Sequence, residues 1–445
     1  METYQKNILT PFKDNDRTRR ENWYLFSRTQ VHLIFLISYT YLIIFLGWIL
    51  NLIQFPNQIG LFICQVLDYL PFLILFVGRI KLKNQIKLLP NYWGFWIIIF
   101  LFLLLSLGTT IIHGGSIGSA IAHFGALFRY IPLASIILYF NLHESDVIEY
   151  LRHFKLISFV LLLIGYIEII GGPEVYYFFT PLTKDYSSAL SVMDEGSIFG
   201  IFANTVDYTY FLVISYILIS NLNTTKHKLI IFFLFLIPIY FTGSKAGLIV
   251  FLICGLYHLE NYKTIKYSIL AIGSLIGGIL IYQFRDILYW LIFIDAKNSR
   301  LGYIINTLPS FLDEFSFDTF FGVSSDKELV FHKINSYIDA PMMTWRLEMM
   351  PSFEDEFYVA IIVYYGIIGF LLLFGIYCGL YKNLITSRWK NSMFKYKTIL
   401  QSMFSVILIA ALFNQIIIIK TFSIFFWSII GILCLQMKNC SLLKK

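Results

Sequence analysis

The chain has 445 residues, 58% of them hydrophobic and only 14% charged, with a formal net charge of +7. A soluble chain of this length needs far more polar surface, and a mean hydropathy of +0.71 points the same way. Long apolar runs in place of short alternating strands exclude a transmembrane barrel as well.

Windows close to the roughly 20 apolar residues that cross a bilayer predict twelve helices. They fall near 31–53, 59–79, 93–112, 119–140, 156–171, 203–220, 228–243, 245–259, 267–284, 357–381, 398–418 and 421–436. The expected fold is therefore an all-α polytopic membrane protein. One transmembrane domain spans 1–445, with 285–355 as a large extracytoplasmic loop between helices 9 and 10. No internal repeat or low-complexity linker divides it. The first span is long and has no small-residue cleavage site, so it reads as a retained helix rather than a signal peptide.

Basic residues set the orientation. With the N-terminus inside, the inner segments hold 24 of the 34 lysines and arginines. The outer segments hold nine: Lys184, Lys245, Lys420 and six in the long loop, with Arg129 inside a span. Long loops translocate largely regardless of charge, so both termini are expected in the cytoplasm. The +7 is mostly an inner-face surplus and calls for no nucleic-acid partner. All five cysteines fall in spans or the inner tail, which leaves the outer loops without a disulfide framework.

Taken along the chain, the polar groups inside apolar segments are the candidates. Asp68 and Glu168 lie within spans. Arg129 does too, in HFGALFRYIPLAS, where a charge costs about 2.5–3.5 kcal/mol on insertion scales and needs a cavity or a partner. Its partner could be Asp68 or Glu168. His113 and His123 flank GGSIGS without the spacing of a metal site and read as polar residues of a short outer turn. The outer segment 172–202 carries Tyr176, Tyr177 and Tyr186, either an interfacial aromatic belt or a surface for stacking sugars.

Lys245 in YFTGSKAGLIVF stands where two apolar runs meet. The order Ser-Lys between helices is not a phosphate loop. The lysine either snorkels to the headgroups or joins free N–H groups at a helix N-terminus in holding an anion. The long loop pairs six cations with eleven carboxylates, so any anion site there is local. Its RLGYIINTLPSFLDEF and FFGV stretches are too apolar for disorder and predict short helices over the outer mouth. Glu354, Asp355 and Glu356 then precede an apolar helix. One acid suffices to complement the helix dipole; three leave room for a general base.

Three segments together resemble the O-antigen polymerase and ligase superfamily. YFTGSKAGLIVFLICGLY resembles its T-G-S-R-x-G segment, and NSRLGYIINTLPSFLDEFSFDTFFGVSSD the stretch that opens its large periplasmic loop. DEFYVAIIVYYGIIGF resembles its H-N-x-Y-L entry to the next helix. All three occur in family order over roughly residues 240–370. Lys245 replaces the usual arginine, which keeps the charge but loses the bidentate fork. Asp355 and Glu356 stand where ligases carry histidine and asparagine, and no tryptophan follows Arg300.

The resemblance implies a glycosyltransferase acting on polyprenyl-diphosphate-linked glycans at the outer face of a bacterial plasma membrane. A polymerase of O-antigen or capsule repeat units is the expected activity. Lys245, Arg300, Arg129 and Arg346 would contact the donor diphosphate, and Asp355, with Glu354 and Glu356 as alternates, would accept the proton of the acceptor hydroxyl. With cations in place of Mg²⁺, no metal or other cofactor is expected. Beyond the lipid-linked substrate and the bilayer, a chain-length regulator and a flippase are the partners such a role implies. Two rival readings are a ligase, which the absent histidine disfavours, and a transporter or flippase, which the absence of a repeat disfavours.

Overall fold

A computed structural model describes residues 14–79, 92–140, 142–181, 196–202, 204–222, 227–258, 316–326, 357–385 and 394–442 apart from 413 and 415, with isolated positions between 267 and 330. Among them all regular structure is helical. The order is α1 (Asp14–Leu52), α2 (Asn57–Arg79), α3 (Tyr92–Ile112), α4 (Ile117–Phe128), α5 (Ile131–Phe140), α6 (Glu144–Gly171) and α7 (Pro173–Phe179). Then come α8 (Thr205–Leu222), α9 (Lys228–Phe241), α10 (Lys245–His258), α11 (Phe317–Phe321), α12 (Phe357–Ile385), α13 (Phe394–Ala410) and α14 (Lys420–Leu442).

Six of these helices are long and apolar enough to cross a membrane, and α4 with α5 makes a seventh if the pair is one span bent by 49°. Four more, α9, α10, α13 and α14, carry shorter apolar stretches. Each expected span overlaps a helix except 267–284, most of which lies outside the described residues, and 398–418 is helical only as far as Ala410, the chain turning from there to Lys420. The chain is a polytopic helical membrane protein.

Helix breaks follow from local chemistry. Pro132 has no N–H to give the Phe128 carbonyl and its ring would crowd that oxygen, so α4 stops at Phe128 and α5 begins at Ile131. Arg129 and Tyr130 occupy the break. In α12 the backbone leaves helical geometry at Gly366 (φ 67°, ψ −175°), a region open essentially to glycine alone.

The helix α8 is apolar on all sides, the pattern of a helix buried all round, and 72% of it is buried. It packs against α6, α9, α10, α13 and α14. The most extensive pairing is α14 with α5. There Gly431 lets the helices close: a Cβ on it would come within 2.9 Å of the Ala134 Cα and carbonyl oxygen. By contrast α2 is peripheral, with only 17% of its span buried, held by α1 and α5.

The long loop sends one described segment, 316–326, into the bundle. Its short helix α11 packs against α12, and the Val323 N–H donates to the Val363 carbonyl at 2.9 Å. Asp318 Oδ1 lies 2.9 Å from His113 Nε2, and Asp326 Oδ2 accepts from the Ser116 N–H at 2.6 Å, both on the α3–α4 turn. Val323, Ser324 and Ser325 are buried.

Candidate functional site

One cavity of about 770 Å³ opens in the half of the bundle nearest the α1–α2 turn. Its walls are the second half of α1 from Leu42 to Trp48, α2 from Leu61 to Asp68, the Ile201–Phe202 segment, the first turn of α8 and the turn before α14. Two helices, α8 and α14, begin at this cavity.

Its charged centre forms at the α4–α5 break. Breaking the helix places Arg129 beside α2, where Nη1 lies 3.4 Å from Asp68 Oδ2. Nη2 donates to the Ile418 carbonyl at 2.9 Å, and the guanidinium carbon sits 5.1 Å from the Tyr130 ring centre. The Lys420 Nζ reaches Asp68 Oδ1 at 2.5 Å, and the Tyr130 hydroxyl donates to the same oxygen at 3.0 Å. Asp68 thus receives three donors, two from the α4–α5 break and one from the start of α14. Its side chain is 12% exposed, against 18% for Arg129 and 28% for Lys420, so the cluster is largely buried, and all three residues line the cavity. A carboxylate that holds two cations in a poorly solvated site removes much of the cost of placing them there.

A second carboxylate, Asp207, lines the same cavity. It stands in the first turn of α8, where its N–H donates to the Asn204 Oδ1 at 2.7 Å. Arg129 and Lys420 both lie within electrostatic reach of it, and the Asn204 side chain bonds to it. Gln65, Asn204 and Asn414 add neutral polar groups to the lining, and Asn414 Nδ2 donates to the Tyr210 hydroxyl at 3.1 Å. Trp48 forms part of the rim, anchored by its indole N–H to the Phe178 carbonyl at 2.8 Å. Two cations, two carboxylates, amides and an indole make a charge-balanced lining that suits a polar ligand.

Of the residues expected from the sequence, Arg129 is in this cavity and its partner is Asp68. Glu168 is elsewhere: its Oε2 accepts from the Gly200 N–H at 2.7 Å and fixes the segment that becomes the cavity wall at Ile201 and Phe202. Lys245 is exposed at the first residue of α10 and is not among the lining residues. Its turn touches that wall segment, since the Ile198 N–H donates to the Phe241 carbonyl at 3.0 Å. Arg300, Arg346, Glu354, Asp355 and Glu356 lie outside the described residues, as do Tyr186 and the Tyr177 side chain. Tyr176 is buried against Phe199, ring centres 5.7 Å apart, as a core residue and not a platform for sugars. His113 and His123 are not a metal pair: His123 Nδ1 lies 2.5 Å from the Tyr365 hydroxyl and His113 meets Asp318. Among the described residues no group of three or more His, Cys, Asp or Glu side chains could hold a metal ion.

Sequence reasoning missed Lys420 and Asp207 as site residues. Lys420 had a signal, being a lone cation in a short outer turn. Asp207 had only Asn204 three residues ahead of it, which marks a helix start and nothing about a cavity. No protein-family model matches the chain, and no curated protein matches it.

Proposed function

We propose that the protein is a polymerase joining polyprenyl-diphosphate-linked oligosaccharide repeats of an O-antigen or capsule. The transfer would take place at the outer face of the bacterial plasma membrane. The observation that supports it best is the cavity with Arg129 and Lys420 gathered on Asp68. In glycosyl transfer from a lipid diphosphate, charge builds on the leaving group, and fixed cations in a shielded site lower the cost of that charge. Asp68 would keep the two cations in place until the diphosphate arrives to share them.

The rest of the reading is a twelve-span topology with cytoplasmic termini and 285–355 outside, which puts the cavity in the outer half of the bundle. Lys245, Arg300 and Arg346 would be further diphosphate contacts, as the family resemblance implies. A second reading, transport of the lipid-linked glycan, is favoured by one observation: the helix pair broken at Arg129. Broken helices that aim their ends at a charged mid-bundle site are a feature of many transporters.

The deciding experiment reconstitutes the protein in liposomes with a polyprenyl-diphosphate repeat and separates the products on a gel. A ladder spaced by one repeat, lost with Lys420→Ala or Arg300→Ala, is the expected result. Transfer of a single glycan to an added lipid acceptor without a ladder would indicate a ligase. Movement of the intact lipid-linked repeat across the bilayer without any transfer would replace the polymerase with a transporter.

A further inference from the structure

Two carboxylates line the cavity, and their surroundings differ. Asp68 is saturated: Lys420, Arg129 and the Tyr130 hydroxyl all bond to it. Those bonds occupy it as the counter-ion of the two cations. Asp207 makes no ion pair within 4 Å among the described residues. Among the described residues its side chain bonds to Asn204, and it stands on α8, 72% of which is buried. Two titratable groups in one site with environments this different divide the roles of charge holder and proton acceptor.

Asp207 is the acid of the first turn of α8, where a carboxylate complements the helix dipole, and its own N–H is capped by the Asn204 Oδ1. The residue also lines the cavity that Arg129 and Lys420 line. In an in-line transfer the attacking and departing oxygens lie on opposite sides of one carbon, so a base for the acceptor sits close to the leaving-group site without occupying it.

We propose that Asp207 is the base that receives the acceptor hydroxyl proton in glycan transfer, an assignment that rests on the polymerase reading above. The acceptor O–H bond breaks and its proton passes to the Asp207 carboxylate. The freed electron pair forms the new bond from oxygen to the anomeric carbon of the donor. The bond from that carbon to the diphosphate oxygen breaks with its electron pair left on the diphosphate, where Arg129 and Lys420 meet the charge. The neutral Asn204 amide, bonded to the carboxylate, holds it in register for the hydroxyl. The acceptor is therefore a sugar with a free hydroxyl presented at the α8 end of the cavity, next to the amides of Asn204 and Asn414.

The test uses the full-length protein in liposomes with the lipid-linked repeat, comparing wild type, Asp207→Asn, Asp207→Glu and Asp355→Asn across pH. Asp207→Asn keeps the shape and the hydrogen bonding of the turn. It is expected to lower kcat by about 10²- to 10⁴-fold, the range of general-base catalysis, with KM for the lipid donor little changed. The fall in rate toward acid pH, which reports protonation of the base, disappears with it and returns, displaced, in Asp207→Glu. Should Asp207→Asn fail to fold, the displaced limb in Asp207→Glu carries the test, and an undisplaced limb there overturns the assignment. A wild-type ladder with Asp207→Asn within threefold of full rate, or with the acid limb lost in Asp355→Asn instead, removes the base and leaves the polymerase standing. No ladder from wild type removes both.

Discussion

Gly322 packs against the backbone just before Gly366, and Gly366 against the backbone just before Gly322. A Cβ on Gly322 would lie 2.3 Å from the Tyr364 carbonyl oxygen, and one on Gly366 would lie 2.2 Å from that of Phe320. Both have positive φ, +86° and +67°, with extended ψ. That region is essentially closed to other residues, at a cost of about 1–3 kcal/mol before any clash. The loop segment and the kink in α12 are thus made for each other, and neither glycine can be replaced without parting them. Gly322→Ala and Gly366→Ala should each lower stability by about 2 kcal/mol or more. Thermal unfolding in detergent checks this, and a Tm within a degree of wild type for either variant would count against the contact.

Asp68→Asn leaves Arg129 and Lys420 facing a neutral amide. Removing one partner of a fully buried pair costs about 3–5 kcal/mol. Lys420 keeps 28% of its side chain exposed, so solvent screening reduces the loss, to roughly 2 kcal/mol by analogy with partly exposed pairs. Adding Lys420→Gln to Asp68→Asn takes away one of the two stranded charges and should recover part of it. A double-mutant cycle on unfolding measures the coupling. A double variant no more stable than Asp68→Asn alone would contradict the shared cluster.

Cys64 stands one turn before Asp68 on α2 and lines the cavity. Cys254 and Cys434 are buried and Cys378 is exposed. In a variant that keeps Cys64 as its single cysteine, a membrane-impermeant maleimide added to the outside of spheroplasts should label it. Inside-out vesicles should not be labelled. The reverse pattern would turn the whole bundle over and move both termini outside.

Glu168 is fully buried and accepts from the Gly200 N–H. Glu168→Ala strands that donor, at about 1–3 kcal/mol, and lets go of the wall formed by Ile201 and Phe202. Glu168→Gln keeps an acceptor and should stay close to wild type in Tm and in activity. If Gln and Ala behave alike, the hydrogen bond is not what Glu168 contributes.

The helices were legible because apolar runs of membrane length leave little choice of structure. Arg129 was legible as a residue in need of a cavity or a partner, since its cost inside a span is large, and Asp68 was one of two partners open to it. The choice between Asp68 and Glu168 depends on which helices are neighbours, and hydropathy is silent on that. Lys420 and Asp207 escaped for the same reason. Arg129 joins α2 at a separation of 61 positions and the turn before α14 at 289, contacts that no local pattern encodes. Of the two loop stretches read as too apolar for disorder, most of 300–315 lies outside the described residues, and FFGV (320–323) overlaps the five-residue helix Phe317–Phe321; its seat against the α12 kink is a tertiary fact hidden in two glycines.

The junction at Asp68 also sets an order of assembly. Ribosomes deliver α2 to the bilayer early, when its carboxylate has neither cation beside it, at a cost of about 2.5–3.5 kcal/mol on insertion scales. Arg129 follows soon after, whereas Lys420 enters only with the last hairpin. Until then α2, little buried and lightly held, is free to drift from the bundle. Arrival of α14 closes the charge cluster and the α5 contact together, so this helix acts as the clasp of the fold.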